Sequence, residues 1–222
     1  MTEYPLIVES GLMYARLDGG DWIVDTGSPR TFGDGAISLD GVEVRVSSSL
    51  AGTNASKLSS EFGHKITGLI GTELLNELDV VLDVNAGKVT FSKSQVELPG
   101  SIVPLDFVLG VPIAQVKVAG TVSRAFLDTG AQISYMPSEL ISAFPTMGVY
   151  QDSHPQFGRF ESETHSVDME MGGERYTIRC GCAPSLISLA LGMADASGII
   201  GSAVFCDRRV GYFARRRQLV LG

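Results

Sequence analysis

Two stretches of the sequence end in the same triplet. Residues 11–27 read GLMYARLDGGDWIVDTG, and residues 110–130 read GVPIAQVKVAGTVSRAFLDTG. In each stretch, two apolar segments flank a glycine-containing turn and the second runs into Asp-Thr-Gly, a pattern that predicts a hairpin followed by a loop. One such triplet is expected by chance in about 4–5% of chains of this length. Two triplets at matching positions therefore indicate an internal duplication.

The segments that close the two halves also match. Residues 68–91 read GLIGTELLNELDVVLDVNAGKVTF, and residues 198–221 read GIIGSAVFCDRRVGYFARRRQLVL. Each begins with glycine, two apolar residues and glycine, and continues through a short helical stretch to two strands across a tight turn. The sequence therefore predicts two β-rich lobes, residues 1–98 and 102–222, joined near Pro99 and related by a pseudo-twofold axis.

Composition limits the class of protein. The chain has 222 residues, 44% of them hydrophobic, and a net charge of −8. It can bury a core of its own, and its acidic balance argues against nucleic-acid partners. No apolar run reaches the length of a membrane span and the first residues lack the pattern of a secretion signal, so we expect no membrane association and a cytoplasmic location. Helices are predicted over residues 137–144 and 184–193.

The duplicated loops point to paired carboxylates. A pseudo-twofold axis between equivalent loops would place Asp25 and Asp128 face to face, and two carboxylates a few ångströms apart share one proton. The ionised carboxylate can then take a proton from a bound water, while its partner protonates or hydrogen-bonds a scissile carbonyl. Because such a pair titrates as a unit, neither role is assigned to one residue. Either triplet alone would be an ordinary turn, and the duplication argues against that interpretation.

Other residues of the repeated segments are expected to support the two aspartates. The triplet hydroxyls would bond across to the opposite loop and hold the carboxylates in register. The triplet glycines would let the loops approach without a Cβ clash, and the later apolar pairs would pack beneath them and exclude water. The supporting candidates are Thr26, Gly27, Ser28, Ile70, Gly71, Thr129, Gly130, Ala131, Ile200 and Gly201.

The repeated Asp-Thr-Gly-Ser/Ala, followed in each half by two apolar residues and glycine, resembles the aspartic peptidases, both the retropepsin-like and the pepsin-like kinds. The resemblance covers essentially the whole chain. It implies an all-β, two-lobed acid-protease-like β-barrel fold with pseudo-twofold symmetry and few short helices. It also implies a monomeric endopeptidase that acts on peptides or unfolded proteins, with Asp25 and Asp128 catalytic and with no metal and no organic cofactor.

The two halves differ in the segment that follows the triplet. Gly41 follows Asp25 by 16 residues, whereas Gly173 follows Asp128 by 45. The second half therefore carries an insertion that includes about residues 148–166. Aspartic peptidases need a mobile hairpin over the cleft, so this insertion is predicted to supply the flap; a surface loop packed on its own lobe is the alternative. The residues of the predicted flap are Phe157, Gly158, Arg159 and Phe160.

Two other interpretations keep the fold and change the function. In one, the chain is a catalytically silent peptide-binding or scaffolding relative; in the other, it is a self-processing protease with a single target. The intact aspartate in both loops favours an enzyme, because a binder has no use for paired buried carboxylates that cost solvation. His64, His154 and His165 lack metal-ligand spacing, and the five arginines between residues 208 and 217 are expected to form a solvated hairpin face.

Overall fold

The computed structural model describes residues 1–154, 158–206 and 208–222. Strands dominate it, as the alternating apolar pattern predicts. The strands of the first half are β1 (Thr2–Glu9), β2 (Leu12–Leu17), β3 (Gly20–Val24), β4 (Phe32–Gly33), β5 (Ile37–Leu39), β6 (Val42–Val44), β7 (Ser49–Leu50), β8 (Thr53–Asn54), β9 (Ile66–Ile70), β10 (Asp79–Asp83) and β11 (Lys88–Ser92). Those of the second half are β12 (Ser101–Pro104), β13 (Asp106–Val108), β14 (Val111–Val118), β15 (Thr121–Leu127), β16 (Ser134–Tyr135), β17 (Thr146–His154), β18 (Gly158–Met171), β19 (Glu174–Gly181), β20 (Gly198–Ile200), β21 (Arg209–Phe213) and β22 (Gln218–Leu221).

The helices are short, and local signals account for their ends. They are α1 (Ala55–Phe62), α2 (Thr72–Leu75), α3 (Ser138–Ile141) and α4 (Ser185–Met193), with 3₁₀ turns at Ser202–Phe205 and Ala214–Arg216. The Asn54 side chain accepts a first-turn N–H of α1, and Gly63 ends that helix at φ 75°. α3 and α4 begin directly after Pro137 and Pro184, as predicted. α3 is shorter than the predicted stretch because the chain turns at residues 142–144 before Pro145.

The larger sheet contains strands from both halves of the chain. Its order is β12-β22-β21-β10-β11-β1-β2-β3-β9-β4. The halves meet where β10 pairs antiparallel with β21, which sets Asp79 opposite Phe213 and Asp83 opposite Arg209. The three apolar residues of β10 between these aspartates are each 1% exposed. Main-chain hydrogen bonds in a buried region therefore join the two halves.

The second sheet is built by the second half alone and carries the inserted segment. Its order is β13-β14-β15-β20-β16-β19-β18-β17, and β14 also pairs with β18. β17 is the edge strand and forms a long antiparallel hairpin with β18. In the first half, β5 and β6 pair over three residues each. The long hairpin thus accounts for the extra length after the second Asp-Thr-Gly.

One apolar core is shared by the two halves. Phe91 and Leu75 of the first half belong to the same cluster of buried side chains as Ile200 and Phe205 of the second half. All four are at most 1% exposed. Burial of large side chains of this kind contributes about 1.5–3 kcal/mol each. The core lies beneath the two Asp-Thr-Gly loops, because Ile70 and Ile200, which precede Gly71 and Gly201, are part of it.

A buried ion cluster lies at the junction between the halves. Asp79 is 1% exposed. Its carboxylate accepts hydrogen bonds from Arg215 at 2.7 Å, from Arg216 at 2.9 Å and from the Val96 N–H at 2.8 Å. Arg216 is half-buried, against the prediction of a solvated face, whereas Arg215 stays exposed although its guanidinium bonds Asp79. The pairing of β10 with β21, which sequence spacing does not reveal, brings them to a buried carboxylate.

We expect Asp79→Asn to lower the free energy of unfolding by about 2 kcal/mol, because two guanidinium groups lose their ionic partner in a largely shielded place. The matched control is Asp106→Asn. It removes a carboxylate bound to Arg217 at 2.9 Å, in a pair whose side chains are 62% and 59% exposed, so it should cost at most about 0.5 kcal/mol. Urea unfolding measures both, and equal losses would contradict the buried role of Asp79.

Candidate active site

Each aspartate of the repeated triplet follows a strand that has a parallel neighbour. β3 runs parallel to β9 and leads into Asp25, and β15 runs parallel to β20 and leads into Asp128. The Asp25 N–H donates to the Ile70 carbonyl at 3.0 Å, and the Asp128 N–H donates to the Ile200 carbonyl at 2.9 Å. The apolar-apolar-Gly segments therefore position the aspartates through their backbone, in the same way in both halves.

Reciprocal hydrogen bonds between the two triplet threonines lock the loops together. The Thr26 hydroxyl donates to the Leu127 carbonyl at 2.8 Å and accepts from the Thr129 N–H at 3.0 Å. The Thr129 hydroxyl donates to the Val24 carbonyl at 2.6 Å and accepts from the Thr26 N–H at 3.0 Å. Thr26 is 3% exposed and Thr129 is fully buried. Because these bonds are shielded from water, they strongly restrict the separation of the loops.

The triplet glycines allow each loop to contact the opposite carboxyl group. A Cβ added to Gly27 would lie 2.2 Å from Cγ of Asp128, and one added to Gly130 would lie 2.5 Å from Cγ of Asp25. Oδ1 of Asp25 accepts the N–H groups of Gly27 at 2.8 Å and Ser28 at 2.9 Å, and Oδ1 of Asp128 accepts the Gly130 N–H at 2.9 Å. The carboxyl groups are thus oriented by backbone donors, and any larger residue would collide with the facing aspartate.

The two carboxyl groups titrate as a pair. Burial raises the pKa of Asp25 well above its usual range, and the neighbouring charge of Asp128 raises it further. Burial also raises the pKa of Asp128, while the Gly130 N–H and a hydrogen bond with Asp25 oppose this increase. Both residues still keep part of their surface exposed. This arrangement favours a single proton shared between the two carboxylates.

The remaining supporting candidates lie around the dyad at equivalent positions. The Ser28 carbonyl accepts the Thr72 N–H at 2.8 Å, and the Ala131 carbonyl accepts the Ser202 N–H at 2.9 Å. A Cβ on Gly71 or Gly201 would lie less than 3 Å from backbone oxygens of these loops. The structure therefore brings all ten supporting candidates together with the two aspartates.

Two hydroxyl residues of this site were not predicted. The Gly71 N–H donates to Thr31 Oγ1 and the Gly201 N–H donates to Ser134 Oγ, each at 3.0 Å. Thr31 follows Asp25 by six residues and Ser134 follows Asp128 by six. Both side chains are 1% exposed. The shared offset and hydroxyl type form a signal in the repeat that comparison of the two halves could have found.

The predicted flap residues belong to the long hairpin of β17 and β18, and the structure describes three of the four. Phe157 lies outside the described residues, as do its two preceding neighbours. Gly158 and Arg159 are exposed at the start of β18. The Phe160 ring lies 5.9 Å from the Tyr135 ring, centroid to centroid, at an angle of 53°. Since Tyr135 follows Asp128 by seven residues, this contact joins the hairpin to the segment that carries the second aspartate.

Further contacts connect the long hairpin to both halves. The Tyr150 hydroxyl donates to Gln132 Oε1 at 2.8 Å, and Gln132 Nε2 donates to the Ser10 carbonyl at 2.6 Å. The Ser153 hydroxyl donates to the Glu61 carboxylate on α1. Ser10 and Glu61 belong to the first half, so the hairpin reaches from its own half across to the other. Sequence spacing predicted a hairpin here but none of these partners.

Comparisons with known proteins find limited similarity. No family model matches the chain, and no curated protein matches it. Among solved structures it is similar to the "Solution structure of Simian Foamy Virus (mac) protease", with 14% sequence identity over 41% of this chain and 90% of that one. The TM-score is 0.31. A similarity of this size assigns neither a family nor an activity.

Metal sites and membrane-spanning helices are two further features that the described residues can be checked against. Within residues 1–154, 158–206 and 208–222, the histidine, cysteine and acidic side chains form no group of three or more that could hold a metal ion. In the same residues, the helices are all too short or too polar to cross a membrane.

Proposed function

We propose that this chain is an aspartic endopeptidase and that Asp25 and Asp128 are its catalytic residues. The observation that carries the proposal is the pair itself: two partly exposed carboxyl groups, each oriented by backbone N–H donors, on loops locked by buried threonines. Burial and mutual repulsion raise the pKa of Asp25. The pair therefore holds one proton at pH values at which isolated carboxyl groups would hold none. A structural ion cluster would instead surround these charges with cations, as around Asp79.

The proposed reaction is direct attack of water on a peptide carbonyl. The ionised carboxylate takes a proton from the water, the water oxygen bonds to the carbonyl carbon, and the proton of the dyad moves to the carbonyl oxygen. The C–N bond then breaks while a carboxyl group of the dyad protonates the leaving nitrogen, and the other carboxylate takes a proton from one hydroxyl of the tetrahedral intermediate. The products are a new carboxyl terminus and a new amino terminus, and the dyad returns to its starting protonation state.

The substrate in this proposal is an extended peptide that lies between two lobes, residues 1–98 and 102–222, in a monomer with a pseudo-twofold axis. An extended segment is favoured because an aspartic dyad between two β-rich lobes acts on a backbone held like an added strand. The long hairpin of the second lobe would cover the peptide and exclude water. Its contacts on Gln132 beside one loop, and on Glu61 of the opposite half, support this role.

We expect Ser153→Ala to raise KM about two- to fivefold with little change in kcat, because the hairpin loses its hydrogen bond to Glu61 in the closed position. Glu61→Ala should give the same change. The matched control on α1 is Ser60→Ala, since the Ser60 hydroxyl bonds the Ser56 carbonyl of its own helix. Steady-state kinetics on one peptide substrate measure all three variants. A KM change in the control, or none in the other two, would argue against the hairpin as a cover.

The experiment that tests the proposed function is digestion of an unfolded protein with mass spectrometry of the products. An endopeptidase gives internal fragments whose new termini are a free carboxyl and a free amine. If the protein is inert on unfolded chains but binds peptides, the silent peptide-binding interpretation replaces the enzyme. If it cuts only its own chain, the self-processing interpretation does.

A further inference from the structure

The two halves differ at one position of the site in a way that the duplication makes visible. Phe32 follows Asp25 by seven residues and Tyr135 follows Asp128 by seven. Both are buried, and both lie beside the strand that leads to apolar-apolar-Gly: Phe32 pairs with Leu69, and Tyr135 pairs with Ile199. The difference is a phenolic hydroxyl, and it occurs in the half that carries the long hairpin.

The Tyr135 hydroxyl bonds a carboxylate of the long hairpin. Tyr135 is 5% exposed, and its hydroxyl donates to Oδ2 of Asp152 on β17. The other carboxylate oxygen, Oδ1, accepts the Ser153 N–H at 2.7 Å. Asp152 is opposite Phe160 in the hairpin register, and the Phe160 ring packs on the Tyr135 ring. One buried tyrosine therefore contacts both strands of the hairpin and fixes the orientation of the Asp152 carboxylate.

Several titratable and charged groups lie around the Asp152 carboxylate. Tyr135 and Tyr150 face it, and burial raises the pKa of both phenols, so both remain hydrogen-bond donors. Arg179 of β19 lies over the Tyr150 ring at 4.9 Å, but its Nε donates to Thr164. The buried Cys180 thiol, whose pKa burial raises to about 12, lies beside Tyr135 and adds no charge. Among the residues that the structure describes, no lysine or arginine forms an ion pair with Asp152.

Tyr135 connects this carboxylate to the second aspartate: it pairs with Ile199, and the next residue, Ile200, accepts the Asp128 N–H at 2.9 Å. Burial raises the pKa of Asp128, and the nearby charge of Asp152 adds a smaller increase. Phe32, at the corresponding position of the first half, has no hydroxyl with which to hold a carboxylate. The field at the dyad is therefore asymmetric, and its source is on the segment proposed to cover the substrate.

We propose that Asp152 is a positioning residue of the site: a third carboxylate, held by the Tyr135 hydroxyl, through which the position of the long hairpin controls the proton shared by Asp25 and Asp128. The inference rests on the proposed function for its consequence in catalysis, although the electrostatic link itself does not need turnover. With the hairpin closed, Asp152 favours retention of the shared proton. Movement of the hairpin away from Tyr135 removes this charge and favours its release.

The test uses the full-length chain and three variants. Asp152→Asn removes the charge and keeps an oxygen that can accept from Tyr135. Tyr135→Phe removes the tether and copies the residue of the first half. The matched control is Glu161→Gln, an exposed hairpin carboxylate that bonds Gln151 at 3.0 Å on the other face. The pH titration of aspartate carboxyl carbons, followed by NMR on ¹³C-labelled protein, reports the dyad without any substrate.

We expect Asp152→Asn to move the dyad titration to lower pH, because a like charge no longer opposes ionisation. Tyr135→Phe should move it in the same direction by less, and Glu161→Gln should leave it in place. On the basic limb of the pH–rate profile, the lower titration should reduce kcat/KM of Asp152→Asn about threefold. A structural role alone would change the melting temperature or KM and leave the titration unmoved.

The outcomes separate this inference from the proposed function. An unmoved titration in Asp152→Asn, or an equal shift in Glu161→Gln, overturns the inference even if the protein is an active peptidase. A shifted titration in a protein that cuts no peptide supports the electrostatic link and counts against the proposed function alone.

Discussion

Asp25→Asn and Asp128→Asn are each expected to lower kcat/KM for peptide cleavage by at least about a thousandfold. An amide at either position can still accept the backbone N–H bonds that orient the side chain, so the loops should keep their geometry. The amide cannot exchange a proton with water or with the substrate carbonyl. Because the two carboxyls act as a unit, the double variant should be hardly less active than either single one.

Asp25→Asn should also raise the free energy of unfolding near neutral pH. The folded-state pKa of Asp25 is raised, so the folded chain ionises this group less readily than the unfolded chain does. Below the pKa of the unfolded state, Asp25 is protonated in both the folded and the unfolded chain, and the dyad does not lower the free energy of unfolding. As pH rises through the unfolded pKa toward the folded one, stability is lost, and Asp25→Asn removes this loss.

Urea unfolding of wild type and Asp25→Asn at several pH values measures this gain. The difference in free energy of unfolding should grow from acid toward neutral pH and then level off. The matched control is Asp34→Asn, an exposed aspartate of the first half, which should show no such trend. A variant that is less stable than wild type at neutral pH would contradict the description of the dyad as a partly buried pair that shares a proton.

Replacement of both triplet threonines by valine is expected to cost about 4–12 kcal/mol of unfolding free energy, which is comparable with the whole stability of a typical domain. Valine has nearly the shape of threonine, so the change removes the hydroxyls without leaving a cavity. It leaves four buried backbone groups without a partner: the carbonyls of Val24 and Leu127 and the N–H groups of Thr26 and Thr129. Each orphaned group costs about 1–3 kcal/mol.

A double-mutant cycle separates the contribution of each threonine. Each single variant should lose about half of the total, and the hydroxyl-retaining control Thr26→Ser should stay within about 1 kcal/mol of wild type. Catalysis should fall in the valine variants even where they remain folded, since the loops no longer hold the carboxyls in register. Unfolding curves for Thr26→Val that superimpose on those of wild type would rule out the interlocked loops.

Sequence reasoning succeeded where the duplication carries the information. The repeated Asp-Thr-Gly indicates which residues belong together, and the role of each triplet glycine follows from the approach of two equivalent loops. Proline marks the starts of α3 and α4 because this signal is local, whereas α1, which Asn54 caps, was not predicted. All-β character and few short helices follow from alternation and turn signals. These features depend on neighbours in the chain or on the comparison of one half with the other.

The features that were missed depend on partners far apart in the sequence. The cluster of Arg215 and Arg216 with Asp79 exists because β10 pairs with β21, a register that no local pattern encodes. The contact of Tyr135 with Asp152 likewise requires the long hairpin to fold back onto β16. Phe157, one of the four predicted flap residues, lies outside the described residues. The function of the hairpin as a cover therefore remains a proposal.

The central claim is that two facing aspartates, sharing one proton, hydrolyse peptide bonds. The most direct test is the pH dependence of kcat/KM for wild type on one unfolded substrate, from about pH 3 to about pH 8. We predict a bell-shaped profile, because activity requires the singly protonated pair and is lost when both carboxyls are protonated or both ionised. A profile that rises without decline toward high pH, or full activity in either Asn variant under the same conditions, would contradict this account.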